Sequence, residues 1–154
     1  MKILLAVQDK LFLDDFLEIL KRFGLNEIMV LHVVESPHIG FYSDLAEHEK
    51  VSAKRKEMIA DIVKEIERSV GAVAIKGLVI EGDPKEEIIR MANAMEANLI
   101  IMGSHGRGAF GRFFLGSVSL AVHAAAPCSI LILRRSRQAE MEKVDGSRAV
   151  VASS

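Results

Sequence analysis

The chain has 154 residues, half of them hydrophobic and 27% charged, with a formal net charge of -1. That length suits one domain able to bury a core without disulfides or a structural metal. The near-neutral charge argues against disorder and against a general polyanion surface, so nucleic acid is not an expected partner.

Residues 2 to 7, KILLAV, form a continuous apolar run with polar residues at its ends, the pattern of a strand buried on both faces. Leu13, Phe16, Leu17, Leu20 and Phe23 then recur at helical spacing, and Gly24 is expected to end that helix. EIMVLHVVE, 27 to 35, reads as a second strand. A long helix is expected from about Asp44, opened by a capping box with Glu47 and carrying an apolar stripe of Met58, Ile59, Ile62, Val63, Ile66 and Val70. IKGLVIEG, 75 to 82, is the third strand. GDPKEEI then opens a third helix, with Asp83 as N-cap, Pro84 at the first helical position and Glu86 closing a capping box, and the helical face continues to Asn98. NLIIMG is the fourth strand, 116 to 126 the fourth helix, and SILILR, 129 to 134, the fifth strand. Strands alternating with crossover helices imply an α/β class, a doubly wound parallel sheet with helices on both faces. From Arg135 the apolar periodicity is lost, so 135 to 154 is expected to be a polar, flexible tail on a single domain spanning 1 to 134.

No apolar run reaches the roughly 18 residues that span a bilayer, and the N-terminus lacks a signal-type apolar region and cleavage site, so a cytoplasmic location is expected and no membrane partner. Cys128 has no Cys or His at metal-ligand spacing and reads as a packed core residue. His32 reads as a hydrogen-bonded core residue and His123 as a residue packed or exposed on a helix. His105 has the stronger functional claim.

The glycines of IIMGSHGRGAFGRFFLGSVSLAV, 100 to 122, carry the chemistry. GRGAFG fits a dinucleotide fingerprint in letters, but no helix follows directly and no acidic residue lies about 20 positions on to take a ribose. GRFFLGS resembles a P-loop skeleton with Ser117 where the phosphate-binding Lys belongs. The wider spacing has a direct physical sense. Gly103 and Gly106 allow unusual backbone dihedrals and close approach of a ligand. Gly116 and Ser117 open the fourth helix, whose free N–H groups and positive dipole end suit an anion. The Ser117 and Ser119 hydroxyls add donors, with Ser117 a candidate magnesium contact, and Arg107 and Arg112 add positive charge. Phe110, Phe113 and Phe114 read either as a lid or as residues that dock the loop.

Gly103, two residues, Gly106, nine residues, Gly116 and Ser117 resemble the nucleotide-binding signature of the ATP-binding branch of the universal stress protein family. The likeness extends over residues 1 to about 134 through LHVVE, EGDPKEEI and LIIMGSHGRG, in order. It implies a Rossmann-like five-stranded sheet of order 3-2-1-4-5, with ligand at the carboxyl ends of strands one and four. By the same resemblance, Asp9 and Val33 would contact the nucleoside with Val7 and Gln8 alongside. Met102, Gly103, His105 and Gly106 would line the ribose and α-phosphate. Gly116, Ser117, Val118 and Ser119 would take the distal phosphates. The chain departs from the family at Leu11, where a Ser or Thr commonly caps the first helix, and at the bulkier Gln8, so Asp9 is either a ribose contact or that cap. The implied ligand is ATP with magnesium. The implied role is a nucleotide-dependent switch or sensor in the stress response, acting on an unidentified protein partner. A homodimer through 129 to 133 is expected. The alternatives are a slow magnesium-dependent ATP hydrolase and a nucleotide-free homodimeric interaction module.

Overall fold

The computed structural model describes residues 1–35, 45–104 and 116–134. In chain order these form β1 (Lys2–Ala6), α1 (Leu13–Leu20), β2 (Glu27–Val34), α2 (Leu45–Val70), β3 (Ala74–Glu81), α3 (Pro84–Ala94), β4 (Leu99–Gly103), α4 (Ser117–Ala125) and β5 (Ser129–Leu133). The strands make one parallel sheet in the order β3-β2-β1-β4-β5. Fold class and strand order are those expected from the sequence.

β1 lies at the centre, and its unbroken apolar run follows from having a helical layer on each side. Ile3, Leu5 and Val7 point to the side of α1 and α2, where they meet Phe16, Leu20, Ile59, Ile62 and Ile66. Leu4 and Ala6 point the other way, onto Ile88, Ala92 and Val122 of α3 and α4. Fully burying each large aliphatic side chain of these two layers contributes about 1.5–3 kcal/mol.

The local signals hold where they have a physical anchor. Asp83 is the N-cap of α3, Pro84 follows it, and the Asp83 carboxylate accepts from the Lys85 N–H at 2.8 Å. That bond lies at the second helical position and contributes about 1 kcal/mol. Two helix ends differ from expectation. α1 stops at Leu20 and its last turn tightens, with the Arg22 N–H donating to the Ile19 carbonyl, so Gly24 is not its cap and Phe23 is left 37% exposed. α3 stops at Ala94, and Glu96 turns the chain toward β4 with φ 52, because Ala97 must enter the core beside Leu99. The capping box expected of Glu47, the loop 105–115 and the tail 135–154 lie outside the described residues.

α2 sits unusually close to β3. A Cβ added at Gly77 would lie 2.6 Å from Ile59 Cγ2 and 3.0 Å from Val63 Cγ2. Both neighbours are β-branched and stiff at χ1. Gly77→Ala is therefore expected to destabilise the protein by about 1–3 kcal/mol through overpacking, seen in urea titration as a lower midpoint at unchanged slope.

Candidate functional site

In an open parallel sheet the crevice forms where neighbouring crossovers leave in opposite directions. Here that point is between β1, whose crossover leads to β2, and β4, whose crossover leads to β5. A cleft of about 570 Å³ opens at the carboxyl ends of β1, β2 and β4. The structure brings together every described residue of the expected site. Val7, Gln8, Asp9, Val33, Met102, Gly103, Gly116, Ser117, Val118 and Ser119 all line this cleft. His105, Gly106 and Arg107 lie outside the described residues, as do Arg112 and the three phenylalanines of the loop.

The two ends of the glycine segment are held together by the backbone. The Ser104 N–H donates to the Leu133 carbonyl at 2.8 Å, and the Gly116 N–H donates to the Ser104 carbonyl at 2.7 Å. The buried Ser119 hydroxyl donates to the Gly103 carbonyl at 3.1 Å, with the Ser104 carbonyl 3.4 Å away. A hydroxyl has one proton. Ser119 therefore spends its proton on holding α4 against β4. Ser104 was not expected in the site, and its side chain gives no signal in sequence; its place is set by where β4 stops.

The first intrahelical bond of α4 runs from the Leu120 N–H to the Gly116 carbonyl at 3.0 Å. The N–H groups of Ser117, Val118 and Ser119 thus have no partner within the helix and sit at the positive end of its dipole. All three residues border the cleft, and Ser117 is exposed. An anion is the natural occupant of such a helix start.

The reason for Gly103 differs from the one expected. It is not among the positive-φ glycines, which are Gly71 and Gly82 in the described residues. A Cβ at Gly103 would instead lie 2.5 Å from Phe12 Cε2. The glycine lets the Phe12 ring close over the end of β4, and Phe12 itself lines the cleft. Gly116 likewise has φ -55 and ψ 153, which any residue adopts.

At the other end, Asp9 Oδ1 accepts from the Leu11 N–H at 2.8 Å. The N-cap of α1 is Phe12, which makes no side-chain cap bond. Asp9 shapes the turn that precedes the helix and is not its cap. The next residue, Lys10, donates to Asp61 Oδ2 at 2.9 Å and ties this turn to α2; that bond holds the Asp61 carboxyl below the usual carboxylate range.

α2 contributes Val51 and Arg55 to the cleft, and β2 contributes His32. Sequence spacing could not place these beside Asp9, because α2 lies two crossovers from α4. His32 is only 4% exposed, and its Nδ1 lies 2.8 Å from the Val7 carbonyl oxygen. Burial lowers its pKa, the Val7 bond opposes this, and the Arg55 charge lowers it further while Asp9 raises it. Cys128 is half-buried, and burial raises its thiol pKa, which suits a packed residue and not a nucleophile. His123 is exposed on α4.

Comparison with known proteins gives the same outline. The model of the universal stress protein family matches residues 1–134. A universal stress protein of Thermus aquaticus is 37% identical over 86 residues, covering 56% of this chain and 63% of that protein, so the match takes in somewhat under two thirds of the relative. The structure of MJ0577 from Methanocaldococcus jannaschii is 28% identical, with 88% of this chain and 96% of that one covered at a TM-score of 0.76. A universal stress protein family protein of Arabidopsis thaliana, solved with AMP bound, has the same fold at 21% identity, covering 90% and 94% at a TM-score of 0.65.

The state of His32 has a measurable consequence. Its folded pKa is below that of the unfolded chain, about 6.5, so between the two values the unfolded state takes up a proton that the folded state does not. The associated stability is complete above about pH 6.5 and is lost as pH falls through the folded pKa. Wild type is expected to lose more stability between pH 7 and pH 5 than His32→Asn does, measured by urea unfolding across that range. From the family match over 134 of its 154 residues, together with the fold and the cleft it forms, the chain belongs to the universal stress protein family.

Proposed function

We propose that this cleft binds an adenine nucleotide, in its fullest form ATP with magnesium, and that the protein works as a nucleotide-dependent switch in the stress response. The observation that carries this reading is the α4 helix start, with three N–H groups lacking intrahelical partners, bordering the same cleft as Asp9 and Val33. One end suits phosphate and the other a nucleoside, in a volume of the size that small ligands occupy. The AMP bound to the Arabidopsis protein supports the class of ligand.

In this reading, Gly116 and the N–H groups of Ser117, Val118 and Ser119 take the distal phosphates. Met102 and Gly103 flank the ribose and α-phosphate, with His105, Gly106 and Arg107 contributed by the loop. Val7, Gln8, Asp9 and Val33 receive the nucleoside. Among the described residues no group of three His, Cys, Asp or Glu side chains could hold a metal ion. Magnesium would therefore arrive on the phosphates, with the Ser117 hydroxyl beside it. The ends of β4, β5 and α4 are bonded to one another at Ser104, so a ligand drawn against α4 also bears on β5. That linkage is the route by which nucleotide could alter a surface offered to a protein partner.

Thermal unfolding of the full chain with and without Mg-ATP tests the binding. At 100-fold over the dissociation constant the gain is about 2.7 kcal/mol, a rise on the order of 5 to 10 °C for a domain of this size. Gly116→Asp separates binding from folding. Its backbone conformation accepts any residue, an N-cap Asp leaves the apo protein as stable or slightly more so, and its charge opposes phosphate. The shift is expected in wild type and absent in Gly116→Asp; no shift in wild type purified free of nucleotide would overturn the reading.

A homodimer through β5 is favoured by a separate observation. β5 is an outer strand of the sheet, and its apolar residues Ile130, Leu131, Ile132 and Leu133 are only half-buried. An apolar edge with unpaired backbone groups invites pairing. Sedimentation equilibrium is expected to give twice the chain mass, with slow hydrogen exchange at the β5 amides that face away from β4. A single-chain mass with fast exchange there would overturn it.

A further inference from the structure

The core-facing stripe of α2 is longer than the sheet it covers. A helix of 26 residues is about 39 Å long, whereas the eight residues of β3, into which it leads, span about 26 Å, leaving an overhang of about 13 Å. A crossover helix runs antiparallel to the parallel strands it joins, so the start of α2 lies at their carboxyl ends. The two halves of the stripe differ accordingly. Ile59, Ile62 and Ile66 are buried in the core, and Val70 still packs against it. Val51 and Arg55 lie on the same stripe, since positions 51, 55, 58 and 62 follow the helical repeat, but Val51 is 43% exposed and Arg55 is half-buried. Both line the cleft.

A lone exposed valine on an open surface calls for no explanation; one that lines a cleft beside an arginine is part of the surface offered to an occupant. Val51 and Arg55 are i and i+4 neighbours, with Cβ atoms about 5–6 Å apart on one helix surface, so two methyl groups and a guanidinium share one patch. The guanidinium is planar, delocalised and weakly hydrated, and it stacks on aromatic faces. The ion pairs among the described residues do not use Arg55, and stacking engages the face of the guanidinium while leaving its N–H edge to other partners. Its charge acts on His32, which places it near the end of β2, where Val33 also borders the cleft. A patch that is half apolar and half planar cation fits a flat aromatic ring laid on it. A phosphate would use Arg55 and leave Val51 idle, and ribose hydroxyls would do the same. Of the parts of a nucleotide, only the base is flat and aromatic.

We propose that Val51 and Arg55 form a wall on which the nucleobase stacks, so that α2 recognises the face of the base. The inference rests on the nucleotide reading above and adds to it two residues from an element outside the glycine segment and the strand ends. Recognition by the face is indifferent to the hydrogen-bonding edge of a base, so this wall raises affinity for nucleotides without choosing among the purines.

The test is calorimetric titration of the full chain, purified free of nucleotide, with AMP and ATP. Removing one stack between a base and a side chain costs about fivefold to a hundredfold in affinity. Arg55→Ala is expected to show a loss in that range, of the same size for both ligands because the base is common to them. Arg55→Lys keeps the charge and gives up the plane, and is expected to bind both nucleotides weaker than wild type by about threefold or more. Arg55→Lys with wild-type affinity, or a loss in Arg55→Ala much larger for ATP than for AMP, would assign the residue to phosphate charge and overturn the proposal while leaving nucleotide binding intact. Binding of neither ligand by wild type would instead sink the nucleotide reading, and this inference with it. NMR of the wild-type complex with AMP removes any dependence on the variants. Nuclear Overhauser cross-peaks are expected between the adenine H2 or H8 proton and the Val51 methyl groups. Bound AMP without them also overturns the proposal.

Discussion

The structure depends on burying β1 from every side. β2 and β4 pair with its two edges, and helical layers cover its two faces. A parallel strand so enclosed can have no polar side chain along its length, and KILLAV has none beyond Lys2. Polar residues return at Gln8 and Asp9, where the helical cover ends. The same change in environment that ends the strand starts the cleft, so the cleft-lining residues at the end of β1 follow from the way the core closes.

The far wall of the cleft is made by backbone bonds. Ser104 joins β4 to β5 and to Gly116, and Ser119 ties α4 back to Gly103. These contacts fix the start of α4 against the end of β4 irrespective of the eleven residues between Ser104 and Gly116. A helix dipole acts within about one turn, so its usefulness at the cleft depends on this fixed distance. Phe12 against Gly103 closes the gap between the two walls. Gly103→Val would displace that ring and is thus a poor probe of ligand binding, whereas Gly116 has backbone dihedrals that any residue adopts.

Burial also decides the chemistry of individual groups. His32 and Asp61 both have lowered pKa values, for opposite reasons. Asp61 has a lysine partner that favours its charge, and His32 sits in a desolvated position beside an arginine that disfavours its charge. The first is a surface tie between the Asp9 turn and α2. The second favours a neutral ring, with Nδ1 engaged at the Val7 carbonyl.

The amino-acid sequence by itself determined the five strands and four helices, the parallel sheet and the helix start at Asp83, because each is written in local periodicity or capping chemistry within a few residues. It also determined that α4 opens at Gly116 and Ser117, since a helix N-terminus is a local feature. The tertiary structure alone decided three matters. Gly103 serves the approach of Phe12, ninety-one positions away in the chain. Ser119 gives its proton to backbone carbonyls of β4. Arg55 and His32, from α2 and β2, line the same cleft as Asp9. Each is a contact between residues far apart in sequence, and no period or motif along a chain encodes which distant side chain will fill a gap once the layers pack.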